Sequence, residues 1–176
     1  MGRRGDEPER RGRDEEGPAL PGVSPAIGPV FLGRYQHALD EKRRVAIPKA
    51  FREEIDASGE GADLFLVRGL DRCLWLFTRN GFRSFAANFA TLNDAGKQGH
   101  EQLRQLRRDI FSWSTKLTPD KQGRVVLPLE VCERVGIGRD VLFCGVDDRI
   151  EIWSPEAEEA RDDPDRHRKN ARELLG

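Results

Sequence analysis

The chain has 176 residues, of which 35% are charged and 37% hydrophobic, and its formal net charge is −1. That length supports one good core or two small intertwined halves, and no apolar run approaches the roughly 18 residues of a membrane span. The near-neutral balance excludes a generically basic nucleic-acid binder, and the charged N-terminus lacks the apolar stretch of a secretory signal.

Residues 1–28 are built from Arg, Asp, Glu, Gly and Pro, with almost no large apolar side chain before Leu20. Such a segment cannot bury enough surface to offset chain entropy and reads as a disordered extension. Arg3, Arg4, Arg10, Arg11 and Arg13 are interleaved with acids. A solvated tail is favoured over an arm that touches DNA.

Order is expected to begin near Val30-Phe31, with a strand running through Tyr35 to Leu39. Asp40-Glu41-Lys42-Arg43-Arg44 then reads as a turn, because Asp bonds backbone amides two residues on. Val45-Ala46-Ile47 is apolar and too short for a helix, hence a strand. Pro48 fits the first turn of a helix, and Phe51 and Ile55 share its apolar face. Two strands follow, Phe65–Asp71 and Leu74–Thr78.

Phe82, Phe85 and Phe89 recur at helical spacing, as do Leu103, Leu106, Ile110 and Trp113. Both faces read as core packing, with Asn93–Gly99 as the loop between them. Arg104, Arg107 and Arg108 fall on the far side of the second helix and read as a solvated face. Ser114–Leu117 is the next strand, and it leads to a second turn, Asp120-Lys121-Gln122-Gly123-Arg124, then to Val125-Val126-Leu127-Pro128. Ser154-Pro155-Glu156 opens a last helix, after which the charged tail is expected to fray.

The second half repeats the first. Pro128 follows Pro48 by 80 positions and Gly145 follows Gly69 by 76, so four residues are inserted in copy one, around Ser58–Gly61. Val131 and Val135 answer Phe51 and Ile55, Val141–Asp147 answers Phe65–Asp71, and Ile150–Ser154 answers Leu74–Thr78. The boundaries read as a first repeat over 29–81, a helical connector over 82–113, a second repeat with the start of the final helix over 114–160, and a tail over 161–176. Neither unit can bury its sheet alone, so the two are expected to close on each other.

Catalytic chemistry finds no footing. His37, His100 and His167 are scattered, and no nucleophile–base or two-carboxylate arrangement presents itself. Cys73, Cys132 and Cys144 lack metal-ligand spacing and read as buried free thiols of a reducing cytosol. No enzyme activity, cofactor, metal or small-molecule ligand is expected.

The doubled pattern Asp-x-x-x-Arg, aliphatic run, Pro, with Gly-Arg-Val-Val-Leu-Pro in the second copy, resembles the MraZ family of bacterial transcriptional regulators, relatives of the AbrB-type DNA-binding proteins. The likeness covers roughly Val30 to Trp153. It implies a mostly β fold with short helices, a duplicated swapped-hairpin β-barrel made by two repeats in one chain. It also implies a cytoplasmic, nucleoid-associated protein that forms a ring-like homo-oligomer and binds double-stranded DNA at promoter repeats of a cell-division and cell-wall gene cluster.

Carried over by position, the DNA-contacting motif falls on Lys42, Arg43, Arg44, Lys121 and Arg124. Arg44 and Arg124 suit bidentate contact, Lys42, Arg43 and Lys121 would anchor phosphates, and Asp40, Asp120 and Gly123 shape the tips. Two points stand open. Each motif Arg could instead bridge to its own Asp, and Arg43 occupies the family's usual glycine position, so the first turn is expected to differ. A protein-binding, antitoxin-like module on the same scaffold is the rival function.

Overall fold

The computed structural model describes residues 28–91, 96–161 and 163–175. The N-terminal extension and its arginines lie outside them. In the first repeat the elements are β1 (Arg34–Ala38), β2 (Arg44–Ala46), α1 (Lys49–Ser58), β3 (Leu64–Arg68) and β4 (Cys73–Phe77), followed by α2 (Arg79–Thr91). After α3 (Gly96–Phe111) the order recurs as β5 (Thr115–Leu117), β6 (Arg124–Val126), α4 (Leu129–Val135), β7 (Asp140–Val146), β8 (Arg149–Trp153) and α5 (Pro155–Arg161). A final helix, α6, spans Pro164–Leu175.

The six longer-range strands form one antiparallel sheet in the order β1-β7-β8-β4-β3-β5, while β2 and β6 form a separate ribbon. Exchanging each strand for its counterpart in the other repeat turns the sheet order into its own reverse. The symmetry is visible in the register. Val45 stands opposite Val125 in the ribbon, and Trp75 opposite Glu151 in the sheet. Both pairs join equivalent positions of the two copies, so an internal twofold runs through both.

Each repeat is completed by the other. β1 pairs with β7 of the second copy, and β5 pairs with β3 of the first. The arms leading into and out of each turn lie in different sheets and meet only at the bonds that close the turn. The sheet remains open among the described strands, with β1 and β5 at its edges.

The core lies on both faces of this sheet because the central strands alternate two apolar sets. On one face Leu64, Leu66, Leu74, Leu76, Val141, Phe143, Ile150 and Ile152 join Val45 and Val125 of the ribbon, Phe51 and Ile55 of α1, and Val131 and Val135 of α4. On the other, Val67, Cys73, Trp75, Phe77, Cys144 and Trp153 meet Phe82 and Phe85 of α2, Leu103 and Ile110 of α3, and Ala157 of α5. Burying one such large side chain contributes roughly 1.5–3 kcal/mol, so all five buried residues of β4 make it the strand least able to fray. Glu151, only 7% exposed, is accommodated there because Trp153 Nε1 donates to it at 3.0 Å and Arg149 Nη2 at 3.3 Å.

Several expectations shift by a turn or less. Pro48 and Pro128 each precede their helix by one residue, at ψ 139° and 133°. Three of the four inserted residues lengthen α1, since the left-handed caps Gly59 and Gly136 are 77 apart. Gly96–Gly99, expected in a loop, already belong to α3, and residues 92–95 fall outside the described set. α3 stops at Phe111, so Trp113 leaves the helical face and lies under the Arg134 guanidinium, 3.8 Å from its ring centre; Leu106 is 37% exposed. The side chain of Phe89 lies outside the described residues.

The tail expected to fray is helical. Asp163 Oδ1 accepts the Asp165 N–H at 3.0 Å, and Pro164 occupies the first position. A cap and a compatible proline start the helix, and the good helix formers Arg168, Lys169, Arg172, Glu173 and Leu174 carry it on.

Candidate nucleic-acid interface

The two turns that follow β1 and β5 are the same structure. In the first, Asp40 Oδ1 accepts the N–H groups of Lys42 and Arg44, both at 2.9 Å. In the second, Asp120 Oδ1 accepts those of Gln122 and Arg124 at 2.9 and 3.0 Å. Backbone bonds close each loop: Asp40 N to Arg44 O at 2.9 Å and Arg43 N to Asp40 O at 2.9 Å, against 2.8 Å for both of their counterparts at Asp120. Three residues span each tip, and the last of them must be left-handed, as three-residue hairpin loops require.

Gly123 meets that requirement at φ 73° and Arg43 meets it at φ 58°. The expected difference in the first turn is therefore not found. Arg43 adopts the glycine conformation at a cost of about 1–2 kcal/mol, and its neighbours explain how. Arg43 Nε donates to the Leu127 carbonyl at 3.1 Å. At the equivalent place in the other half, Arg52 Nε donates to the Ile47 carbonyl at 3.2 Å.

The carbonyl just past each ribbon strand thus accepts from one guanidinium, both supplied by the first repeat but from different positions. Where Arg52 reaches in from α1, the tip residue is Gly123. Where the tip supplies Arg43, the residue equivalent to Arg52 is Cys132. Burial raises the Cys132 thiol pKa, and the adjoining Arg43 partly offsets this. Arg43, expected as a phosphate anchor, is thereby turned inward, and its Nη2 is buried with no hydrogen-bond partner among the described residues.

Arg44 and Arg124 are held by their own acids. Nε and Nη2 of Arg44 both lie 2.7 Å from Asp40 Oδ2, and those of Arg124 lie 2.8 and 2.7 Å from Asp120 Oδ2. The bridge that stood as the alternative to DNA contact is thus present at both tips. It does not exhaust the side chain, because a guanidinium carries five N–H donors and the bridge engages two nitrogens. The bond from Arg44, with backbone N–H groups beside it, lowers the Asp40 pKa, and the same set from Arg124 lowers that of Asp120 to about 2.

The ribbon fixes where these groups face. Val45 and Val125 point into the core at 1% exposure. Their strand neighbours Arg44, Ala46, Arg124 and Val126 therefore stand on the outer face, with Arg44 across from Val126 and Arg124 across from Ala46. Lys42 and Lys121 are exposed at the tips beside them.

The cations on the strands leading in are already engaged. Arg34 bridges to the buried Glu158 of α5. Lys116 bridges to Asp63 at 3.2 Å, where Thr118 Oγ1 also donates at 2.8 Å and Arg79 Nη2 at 3.0 Å. Asp63 ties the start of α2 to the second tip's leading segment. Nothing in the sequence marked it, since its partners lie 16 to 55 positions away.

Fold and site together define a class: a duplicated β protein in which two units exchange strands and present two equivalent acid-braced arginine tips on one ribbon. Its sequence matches the family described as "MraZ protein, putative antitoxin-like" over residues 30–105 and 110–160. Three similar proteins bear the name transcriptional regulator MraZ. That of Syntrophomonas wolfei is 41% identical over 127 residues, 72% of this chain and 82% of its own length. That of Thermomicrobium roseum is 38% identical, covering 72% and 83%, and that of a Roseiflexus species 37% identical, covering 72% and 82%. The chain belongs to the MraZ family.

Proposed function

We propose that this chain is a sequence-specific DNA-binding transcriptional regulator whose β2–β6 ribbon and flanking tips form the DNA surface. The observation that carries the reading is the pair of guanidiniums on the ribbon's outer face, each fixed in place by its own aspartate. A two-stranded ribbon is of a size to enter the major groove, and an arginine presented there suits the acceptor edge of guanine. Arg44 and Arg124 read bases, Lys42 and Lys121 hold phosphates, and Asp40, Asp120 and Gly123 keep the tips in shape. Arg43 serves from inside, by stabilising the first tip.

The ribbon lying across the open sheet, with each repeat's leading strand in the other's sheet, supports reading the whole as a swapped-hairpin barrel. Two tips supply few phosphate contacts, so tight binding is assigned to a homo-oligomer, a ring, in which several ribbons act on repeated sites. From the family resemblance, those sites are promoter repeats of a cell-division and cell-wall gene cluster, read in the cytoplasm at the nucleoid. The mechanism needs neither catalysis nor a cofactor.

The test compares Arg44→Ala, Arg124→Ala and the double variant for affinity to genomic fragments and to scrambled duplexes across a salt series. Each single change should relax discrimination by roughly 1–3 kcal/mol at one base pair, and the double change should abolish specific binding while circular dichroism stays unaltered. Undiminished affinity in a folded double variant would overturn the reading. Capture of a protein partner in place of DNA would favour the antitoxin-like alternative named in the family description.

A further inference from the structure

The two halves of the ribbon are equivalent in their arginines and bracing aspartates and unlike in the other outer-face residues beside them. Val126 is 53% exposed on the outer face, directly across from Arg44. Its counterpart in the first copy is Ala46, across from Arg124. At the adjoining helix starts, Leu129 is 51% exposed, whereas its counterpart Lys49 carries a charge that is 80% exposed and 3.4 Å from Glu53. One half of the surface is thus arginine with apolar groups, and the other is arginine with alanine and a cation.

We infer that Val126 is a base-reading residue, packing its methyl groups against the 5-methyl of a thymine, so that the two halves of the ribbon recognise unlike half-sites. This rests on the ribbon being the DNA surface. Two arguments support it. In the major groove thymine alone presents a methyl group on its base edge, and a β-branched side chain held rigidly on a strand loses little freedom in meeting it. The alternative of a second protein seated on Val126 and Leu129 needs roughly 800 Å² per partner, whereas here two apolar side chains stand among guanidinium and ammonium groups. Ala46 lacks the two γ-methyl groups of Val126 and reaches less far from the strand, so its half relies more on Arg124 and on phosphate attraction by Lys49.

The experiment starts from a duplex selected by the unaltered protein from a random-sequence pool. Each thymine is then replaced singly by deoxyuridine, which removes the 5-methyl and leaves the hydrogen-bonding edge unchanged. One replacement should weaken binding about fourfold, the worth of one buried methyl-sized group. Val126→Ala should weaken binding to the thymine duplex by a similar factor and lose the sensitivity at that position. Ala46→Val should create a second sensitive position when a thymine is placed at the related step of the other half. Val126 is half exposed, so thermal melting should be unchanged in either variant.

The inference fails if no deoxyuridine position matters, if the selected duplexes place no thymine opposite either half, or if Val126→Ala keeps the full discrimination. In each of these cases loss of binding in the Arg44→Ala, Arg124→Ala double variant would leave the DNA surface standing. A change of oligomeric state in Val126→Ala with methyl discrimination intact would assign the valine to a protein contact instead. If no duplex is selected at all, both readings fall together.

Discussion

The Arg52 side chain runs across Gly123 so closely that a Cβ on the glycine would stand 2.5 Å from Arg52 Cδ. Gly123 is thus favoured by its left-handed φ of 73°, and any side chain there would also have to displace this neighbour. Its counterpart Arg43 shares the conformation without the neighbour, because Cys132 stands where Arg52 stands in the other half. The two tips should therefore respond differently to the same substitution.

Gly123→Ala should destabilise by more than the roughly 1–2 kcal/mol of a left-handed alanine, and Arg52→Ala in the same chain should recover part of the loss. At the first tip, Arg43→Gly relieves backbone strain as it loses the bond to Leu127, while Arg43→Ala loses the bond and keeps the strain. The glycine variant should be the more stable of the two by about 1 kcal/mol. Urea unfolding of the four variants measures both differences. Equal stability of Arg43→Ala and Arg43→Gly would remove strain from the account.

The aspartates set a pH window for the tips. Asp120 in the folded chain titrates at about 2, below its ordinary 3.8, chiefly through the Arg124 side-chain bond. A lowered folded pKa means that the brace contributes in full above the ordinary value and is lost as pH falls from there through about 2. Carboxyl-carbon NMR should place the Asp120 midpoint near 2, with Asp40 also below the ordinary carboxylate range. Arg124→Ala should move the Asp120 midpoint upward. A midpoint at the ordinary value in the unaltered chain would show that the bridge does not persist in solution.

The three thiols should be silent in the folded protein. Cys73, Cys132 and Cys144 are all buried and free, and burial pushes Cys73 up to about 12 and Cys144 up to about 11. The thiolate is the reactive form, so a disulfide reagent at pH 8 should label none rapidly and all three after denaturation. Fast labelling of Cys144 without unfolding would mean that α5 lifts from the sheet.

The sequence revealed what is local and what is repeated. Asp40 and Asp120 signalled the turns, the aliphatic runs signalled the ribbon, and matching spacing exposed the duplication. It was silent on the partners that arrive from far away. Arg43 read as an outward cation because composition says nothing of Leu127 and Cys132, which lie 84 and 89 positions on. The expected distortion of the first turn did not occur because hairpin geometry overrides the residue's own preference. Asp63, with three donors from two other segments, left no trace in any local pattern.

The exchange of strands between repeats also imposes an order on synthesis. When residues through Phe77 have emerged, β3 still lacks β5 and β1 still lacks β7, so the nascent first half carries open strand edges. At about 5–20 residues per second, several seconds pass before the second half can close them. During that interval a neighbouring nascent chain offers the same missing strands. Cells that crowd many ribosomes onto this message would therefore expose it to mispairing between chains, and the helical connector keeps the correct second half nearest to hand.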